Sequence, residues 1–360
     1  MHCTGRTSVA AVVAAVIALV AVPVTAQAAT KAVSLGTTAA AQKALQSYSA
    51  DANDFFPHGI TIHQGDSVKF VPSGFHTLDL PKKGGTFLPL LIGSTKISGA
   101  VDAAGAPFWF NGQDALGFNP ALGPPGIYRK KVSYDGSKAI ESGLPLAAKP
   151  KPFTITFKKT GSFTYYCDVH PGMKGVVTVK AKGAKIPTAA QDKATLKAQV
   201  ANVVKIAKAV AKTTAPANTV SVGASGAGGV ESYAFFPSTL KVAPGTTVTF
   251  KMSAKSLEVH TATTGPGDPE KDPSSYLGKL AASLQGAAFD QAAVYPSDVP
   301  SAPAALTPTL HGNGFWNSGG LDTVSASPLP ASNQVTFAAA GTYQFYCMIH
   351  PFMHGTVVVQ

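Results

Sequence analysis

Two segments of the sequence repeat one pattern of residues at a constant displacement, and this repeat limits the fold more than any other feature. Residues 166–175 read YCDVHPGMKG and residues 346–355 read YCMIHPFMHG, so Cys, His, Pro, Met and Gly recur 180 positions apart. The same displacement relates residues 55–57 (FFP) to residues 235–237 (FFP). Long repeats of this kind indicate one structural unit that occurs more than once. The chain is therefore predicted to contain two copies of one domain.

Each repeated segment places a thiol, an imidazole and a thioether at three-residue steps. These residues are Cys167, His170 and Met173 in the first segment and Cys347, His350 and Met353 in the second. Three-residue steps also occur on one face of a helix, but Pro and Gly in each segment interrupt a helix, and valine-rich strand sequence follows. Sulfur ligands with imidazole select copper, and two His, one Cys and a weakly bound Met form blue-copper electron-transfer sites. The sequence thus predicts copper loops between strands.

Each site needs one more histidine from elsewhere in the chain. His76 and His260 lie shortly after the predicted strands that end in Phe70 and Phe250, and 184 positions separate the two histidines. Four residues are thus gained before His260 and lost again before Cys347, because loops vary in length where strands do not. His76 and His260 are therefore the predicted fourth members of the two ligand sets.

On these residues, each half resembles a cupredoxin of the plastocyanin and azurin group, and residues 347–355 are most similar to the copper loop of amicyanin. The resemblance covers the beginning and end of each half and covers the middles poorly. It implies an all-β fold of two tandem antiparallel Greek-key β-sandwiches, each with one type 1 copper that transfers single electrons. By position, the implied ligands are His76, Cys167, His170 and Met173 for one copper and His260, Cys347, His350 and Met353 for the other.

The sequence departs from the family at residues beside the ligands. The family usually has Asn after its first His, where the side chain ties the two ligand-bearing loops together, and Thr77 and Thr261 stand there instead. Pro is common before the second His, and Val169 and Ile349 stand there. Residues around the ligands tune the potential and the ligand orientation. These departures are therefore expected to change the redox potential rather than the choice of metal.

Length and composition agree with two β-rich domains. A chain of 360 residues suggests about two domains, and 35 Gly, 27 Pro and only 13% charged residues suit sandwiches with many turns. The predicted division is a signal peptide over 1–28, a first cupredoxin-like domain over 29–182, a helical and flexible linker over 183–229, and a second cupredoxin-like domain over 230–360. Apolar spacing in the linker predicts an amphipathic helix over 186–212 that packs on the second domain, followed by a flexible entry over 215–229. Residues 38–49 are predicted to form a short helix.

Residues 1–28 have the features of a secretory signal: Arg6, an apolar run over 9–22 and Ala-Gln-Ala before Ala29. The protein is therefore expected to be exported, periplasmic or extracellular. No transmembrane segment is expected, since no later apolar run reaches about 18 residues. Export leaves open a disulfide between Cys167 and Cys347, the two cysteines beyond the signal. A disulfide does not explain why each Cys has His and Met three and six residues later.

The net charge of +11 favours acidic partners, so an acidic redox partner protein is a candidate. Nucleic acid is not expected because no binding motif is present, and the sequence does not indicate the oligomeric state. A multicopper oxidase or nitrite reductase is disfavoured because those enzymes use His-x-His or His-Cys-His motifs, which this sequence lacks. The prediction is thus an electron carrier rather than an enzyme, with copper storage, delivery or resistance as the alternative.

Each half has a long segment between its first ligand His and its Cys, of 90 residues in the first half and 86 in the second. These insertions contain aromatic residues near Trp109 and Trp316. The aromatic residues are expected to anchor each insertion to its own domain, and the alternative is that they cover the copper or meet a partner. His58 and His63 are predicted to be surface residues, because Ser238 and Ala243 stand at the matching positions of the second half.

Overall fold

In a computed structural model of the chain, the described residues are 28–123, 126–147, 149–286, 288–324, 327 and 329–360. The predicted signal peptide therefore lies outside the described residues, apart from Ala28. The elements of the first half, in chain order, are β1 (Thr30–Leu35), α1 (Ala39–Gln46), β2 (Ala50–Ala52), β3 (Phe55–Phe56), β4 (Gly59–His63), β5 (Ser67–Pro72), β6 (Asp79–Leu80), β7 (Leu91–Lys96), β8 (Asp114–Phe118), β9 (Lys131–Tyr134), β10 (Ile140–Glu141), β11 (Phe153–Phe157), β12 (Gly161–Tyr166) and β13 (Lys174–Lys180).

The second half follows a long helix. Its elements are α2 (Ala189–Val210), β14 (Thr219–Ser225), β15 (Val230–Phe236), β16 (Thr239–Val242), β17 (Thr246–Met252), β18 (Thr263–Thr264), α3 (Tyr276–Ser283), α4 (Gln291–Val294), β19 (Ala304–Leu306), β20 (Trp316–Asn317), β21 (Ser332–Phe337), β22 (Gly341–Tyr346) and β23 (His354–Val359). Two short 3₁₀ helices, Pro120–Leu122 and Leu310–Gly312, lie in the insertions.

Most strands of each half form two sheets around one core, and β7 and β8 pair separately in a two-stranded sheet. In the first half the sheet orders are β3-β1-β5-β11-β9 and β10-β6-β12-β13-β4. In the second half they are β19-β21-β17-β14-β15-β2 and β16-β23-β22-β18-β20. Alternate residues of strands such as β11 and β13 are buried, because successive side chains of a strand point to opposite faces. The buried faces form one core in each half. The predicted all-β sandwich fold is confirmed.

The sheets are mixed, which differs from the purely antiparallel pairing that was expected. β12 and β13 pair antiparallel, but β1 pairs with β5 in parallel, and β13 pairs with β4 in parallel. Consecutive strands such as β4 and β5 belong to different sheets of the sandwich. Neighbours within a sheet are therefore often distant in sequence and run in the same direction, because they are not joined by a hairpin.

The two halves meet through equivalent strands. β2 extends the second sandwich by pairing antiparallel with β15, so that Asp51 lies opposite Glu231 and Ala50 lies opposite Ser232. Asp51 and Glu231 are themselves related by the displacement of 180 residues. An antiparallel pair of equivalent segments is the arrangement found at a twofold interface, where the same surface of each copy meets the other. The halves are therefore related by a local twofold axis at this strand pair.

Helices α1 and α2 pack against the paired strands β2 and β15. A capping box between Thr188 and Gln191 begins α2, which buries Val203, Ala207 and Val210 against β2, β15 and α1. The predicted helices over 38–49 and 186–212 thus match α1 and α2. The flexible entry predicted over 215–229 is wrong: β14 lies in the interior of the sheet, because its alternate valines are core residues. Among the described residues, no helix is both long and apolar enough to cross a membrane.

The insertion of the first half packs on the second half, contrary to the expectation that it is anchored to its own domain. Phe108 and Phe110 belong to a third core with α3, α4 and Phe315. Trp109 donates a hydrogen bond from Nε1 to the carbonyl of Pro296 over 2.8 Å. Trp316 behaves as expected, since it is buried in the core of its own half. The sequence of the first half alone could not reveal this packing, because the surface that these aromatic residues contact belongs to the second half.

Replacing Phe110 tests how strongly the third core joins the halves. Phe110 is fully buried and stacks on Tyr295 with ring centroids 5.4 Å apart. Phe110→Ala should lower the free energy of unfolding by about 3–5 kcal/mol, because a large buried side chain leaves a cavity. Val101→Ala is the control, since Val101 is 55% exposed in the same insertion. Equal unfolding free energies for the two variants in denaturant titrations would contradict the interdomain role.

Candidate metal centre

The two repeated segments form the same closed loop. In the first loop, which joins β12 to β13, Cys167 N–H donates to Met173 O over 3.1 Å and Met173 N–H donates to His170 O over 2.9 Å. The second loop joins β22 to β23 and has the same two bonds, at 3.0 and 2.8 Å, from Cys347 to Met353 and from Met353 to His350. These bonds fold each segment back on itself. They fix the backbone positions of the predicted ligands before any metal binds.

The structure brings one thiol and two imidazoles together in each half. In the first cluster (His76, Cys167 and His170), Cys167 Sγ lies 3.8 Å from His76 Nδ1 and 3.5 Å from His170 Nδ1, and the two Nδ1 atoms are 3.0 Å apart. In the second cluster (His260, Cys347 and His350), the two Sγ–Nδ1 distances are both 3.7 Å and the Nδ1–Nδ1 distance is 3.1 Å. Both clusters therefore present one sulfur and two nitrogen donors to a common point.

The donor sets fit a metal ion. Donors at about 2.0–2.3 Å from one ion, the range for nitrogen and sulfur in zinc sites, are themselves about 3–4 Å apart. The distances in both clusters lie in this range. Met173 and Met353 are each 1% exposed and lie in the same core as their Cys. Cys167 and Cys347 are both free and buried. The alternative of a disulfide between them is therefore wrong.

A glycine supports the first histidine of each cluster, and the sequence analysis missed both glycines. Gly36 follows β1 and Gly223 lies in β14, and both have positive φ angles, +102° and +78°. A Cβ on Gly36 would lie 2.6 Å from His76 Cδ2, and one on Gly223 would lie 2.8 Å from His260 Nε2. Both rings therefore pack directly on backbone. The displacement here is 187 residues, so the constant repeat of 180 did not reveal the pair.

Thr77 and Thr261 tie the two ligand-bearing loops of each half together, at the position where cupredoxins usually have Asn. Thr77 Oγ1 accepts the N–H of Asp168 over 2.8 Å, and Thr261 Oγ1 accepts the N–H of Met348 over 2.8 Å. In the second half, Thr261 N–H also donates to Cys347 Sγ over 3.4 Å. A hydroxyl thus makes the link between the loops.

The charges of each cluster stabilise one another. Although burial opposes it, hydrogen bonds from His170 and His76 hold the pKa of the Cys167 thiol well below its usual value, and His260 and His350 do the same for Cys347. A thiolate is the form of cysteine that binds metal. Burial likewise opposes protonation of His170, but Glu258 and Cys167 together raise its pKa to about 10. When no metal is bound, each cluster therefore holds a thiolate beside one cationic imidazole, that of His170 or that of His350.

One carboxylate of the second half touches both clusters. Glu258 Oε1 lies 3.1 Å from His170 Nε2, and Glu258 Oε2 lies 3.7 Å from His350 Nε2. Asn53 Nδ2 and the Tyr233 hydroxyl donate to Oε1 over 2.8 and 2.7 Å. Glu258 is only 6% exposed. Sequence analysis missed Glu258 because its position is not repeated: Gly74 stands at the corresponding place before His76.

An acidic group distinguishes the first half from the second. Carboxylate oxygens of Asp79, Glu141 and Asp168 lie within 4.8 Å of one another, and Asp168 is the residue after Cys167. By strand pairing, Thr263 and Asn317 take the places of Asp79 and Glu141 in the second half. Burial, and then the charge of Asp168, raise the pKa of Glu141 to about 10, and burial raises that of Asp79 to about 7. The first cluster therefore has a more polar surrounding than the second.

The two clusters border one cleft between the halves. Its volume is about 430 Å³, and His76, His170, His350 and Glu258 line it. Three exposed apolar side chains also line it, Phe75 (41% exposed), Leu146 (59%) and Phe352 (54%). Four further histidines of the described residues lie outside both clusters. His58 binds Asp54, His63 binds Ala184 O, His311 lies between Asp102 and Asp298, and His354 is exposed at the start of β23.

No protein-family model and no curated protein matches the chain. Among solved structures, the chain is similar to a variant of amicyanin in its reduced Cu(I) form, with 18% identity, 42% of this chain and 89% of that chain covered, and a TM-score of 0.21. It is also similar to oxidised plastocyanin from Dryopteris crassirhizoma, with 20% identity, 39% and 99% of the two chains covered, and a TM-score of 0.20. Both neighbours are cupredoxins.

Gly223→Ala should displace His260. Because the added Cβ would lie within 3 Å of the ring, we expect at least tenfold weaker binding of copper(I) by the second cluster, the size of effect seen for residues that orient metal ligands. Competition titration with a chromophoric chelator measures this. Gly245→Ala is the control: its φ of +81° carries the same backbone strain, but its Cβ would meet no atom within 4 Å. Equal affinities in the two variants would show that the close contact is unimportant.

Glu141→Gln should change how stability depends on pH. A carboxyl with a higher pKa in the folded state than in the unfolded state costs stability as pH rises above the unfolded value, since the unfolded chain ionises first. The metal-free Gln variant should therefore gain about 1–3 kcal/mol relative to wild type between about pH 5 and about pH 8. Denaturant unfolding across this range measures the gain. Asp135→Asn removes an exposed carboxylate and should leave the slope unchanged; an unchanged slope for Glu141→Gln as well would refute the effect.

Proposed function

We propose that the protein is an exported copper protein that binds two type 1 copper ions and carries single electrons. The first cluster with Met173 would hold one ion, and the second cluster with Met353 would hold the other. The convergence of one Sγ and two Nδ1 atoms in both buried clusters carries this proposal. One Cys, two His and a weak axial Met are the ligands of blue-copper sites. Bound there, copper would supply a Cu(II)/Cu(I) couple.

The chain itself provides the rigid surroundings that such a couple needs. The closed loops, the glycines behind His76 and His260, and the Thr77 and Thr261 hydroxyls hold the donors in one arrangement. Burial of Cys167, Cys347 and both Met residues excludes water from the donors. A donor set held this way changes little when the charge of the ion changes by one. The clusters therefore suit electron transfer better than the binding of a substrate at an open metal position.

The cleft between the halves is the proposed approach of the redox partner. It is lined by His76 and His350, and the exposed side chains of Phe75, Leu146 and Phe352 also line it. Apolar patches on soluble proteins often mark interaction sites. The positive net charge would speed the approach of an acidic partner. Periplasmic or extracellular location follows from the proposed signal peptide.

Copper titration of the protein from residue 29 onward tests the function. Wild type should bind two equivalents of copper(II) with an intense visible thiolate band and blue-copper EPR signals, because each thiolate bonds directly to its ion. Cys167→Ser and Cys347→Ser should each lose about half of the band, since each removes one thiolate ligand. Met252→Leu, a change of similar volume outside both clusters, should lose none. Colourless copper binding would indicate copper storage or delivery instead.

A further inference from the structure

Glu258 contacts one ligand histidine of each cluster, although the two clusters belong to different halves of the chain. Its two carboxylate oxygens divide between them, with Oε1 at 3.1 Å from His170 Nε2 and Oε2 at 3.7 Å from His350 Nε2. His170 and His350 are repeat equivalents, 180 positions apart. Each presents Nδ1 to its own Cys and Nε2 to Glu258. One side chain therefore joins the outer edges of both clusters.

Several independent contacts fix the position of Glu258. Leu257, its neighbour, packs on the core of the first half, although it belongs to the second. Gly172 makes room for it, since a Cβ there would lie 2.7 Å from Leu257 Cδ2, and Phe352 stands at the equivalent place of the second loop. Glu231 accepts the Leu257 N–H over 2.6 Å. The segment that carries Glu258 is therefore fixed against the first cluster.

The donors to Glu258 repeat as well. Asn53 and Tyr233, which both bond to Oε1, are 180 positions apart in the sequence. Asn53 directly follows β2, and Tyr233 lies in β15 directly after the residues that pair with β2. The carboxylate thus lies close to the local axis and receives one donor from each half. No Lys or Arg side chain among the described residues forms an ion pair with it, so the two histidines are its only cationic partners.

We propose that Glu258 connects the two copper sites electronically, so that they exchange electrons within one molecule through His170, Glu258 and His350. This inference rests on the proposed copper function. When Nδ1 binds a metal, Nε2 carries the ring proton and can donate it to a carboxylate. In the exchange, one site is oxidised from copper(I) to copper(II) while the other is reduced from copper(II) to copper(I). One electron moves, and no covalent bond forms or breaks.

Sharing one carboxylate also links the two potentials. Oxidation of one site makes its imidazole N–H a stronger donor and draws Glu258 towards that ring. The attraction of Glu258 to the other histidine is then weaker, so the second site is harder to oxidise. Hydrogen bonds from surrounding groups to metal-bound histidine tune the metal in this way. The potential of each site should therefore depend on the oxidation state of the other.

Pulse reduction with less than one electron per molecule tests the exchange. The reference spectra come from Cys167→Ser and Cys347→Ser, each of which retains one site. In wild type, electrons should redistribute between the sites in a first-order phase whose rate does not depend on protein concentration. Glu258→Gln should slow this phase at least tenfold and shift both potentials, while both visible bands remain. Glu270→Gln, the same chemical change at an exposed residue of the same half, should alter neither.

A second readout does not depend on electron transfer. In the copper(I) protein, the Nε2–H protons of His170 and His350 should both give slowly exchanging NMR signals, and both signals should shift in Glu258→Gln. Tyr233→Phe, which keeps the carboxylate and removes one donor, should slow redistribution less than Glu258→Gln does and serves if the Gln variant does not fold. The inference is overturned if redistribution in wild type depends on protein concentration, if its rate is unchanged in Glu258→Gln or Tyr233→Phe, or if either N–H exchanges rapidly in wild type. Absence of two blue sites in wild type would instead remove the proposed function, and this inference with it.

Discussion

The antiparallel pairing of β2 with β15 is the contact on which the arrangement of the whole molecule depends. Because the paired segments are equivalent in the two halves, the pairing creates a local twofold axis. Asn53 and Tyr233, each directly after the three paired residues of its half, then reach the same carboxylate from opposite halves. The ligand loops are equivalent too, so the axis that relates the strands also turns His170 and His350 towards one another. The pairing of three residues from each strand thus determines how the His170 and His350 side chains face one another.

The residues of the two Cys–His clusters were predictable from the sequence because their spacing is local. Cys, His and Met within seven residues of one loop need only short-range geometry, and the loop's own hydrogen bonds supply it in both halves. His76 and His260 were found because each follows a strand that the repeat already located. The sandwich fold followed from the same repeat and from alternating strand sequences. These features depend on a few residues that are close in sequence, so a sequence pattern can predict them.

The features that join the halves were not predictable in this way. Glu258 lies in a position that the repeat does not preserve, and nothing near it in sequence indicates a histidine of the other half as its partner. Trp109 and Phe110 look like anchors of their own domain, yet they pack on α3 and α4 of the other. In the sequence, Gly223 looks like an ordinary loop glycine. Only the structure shows that the ring of His260 packs against it. Each of these roles depends on contacts between residues more than 30 positions apart.

Differences between the two halves make the two proposed sites unequal as electron acceptors. A perfectly symmetric pair of sites would share an electron equally, but the surroundings of the two thiols differ. Asp79, Glu141 and Asp168 lie together in the first half, whereas Thr263 and Asn317 stand at the places of Asp79 and Glu141 in the second. In the second half, Cys347 also accepts an N–H from Thr261. A hydrogen bond to a metal-bound thiolate favours the lower oxidation state of the metal. Thr261 N–H lies 3.4 Å from Cys347 Sγ, whereas the Thr77 hydroxyl lies 4.0 Å from Cys167 Sγ. Under the proposed function, an electron that enters the pair would therefore rest on the second copper.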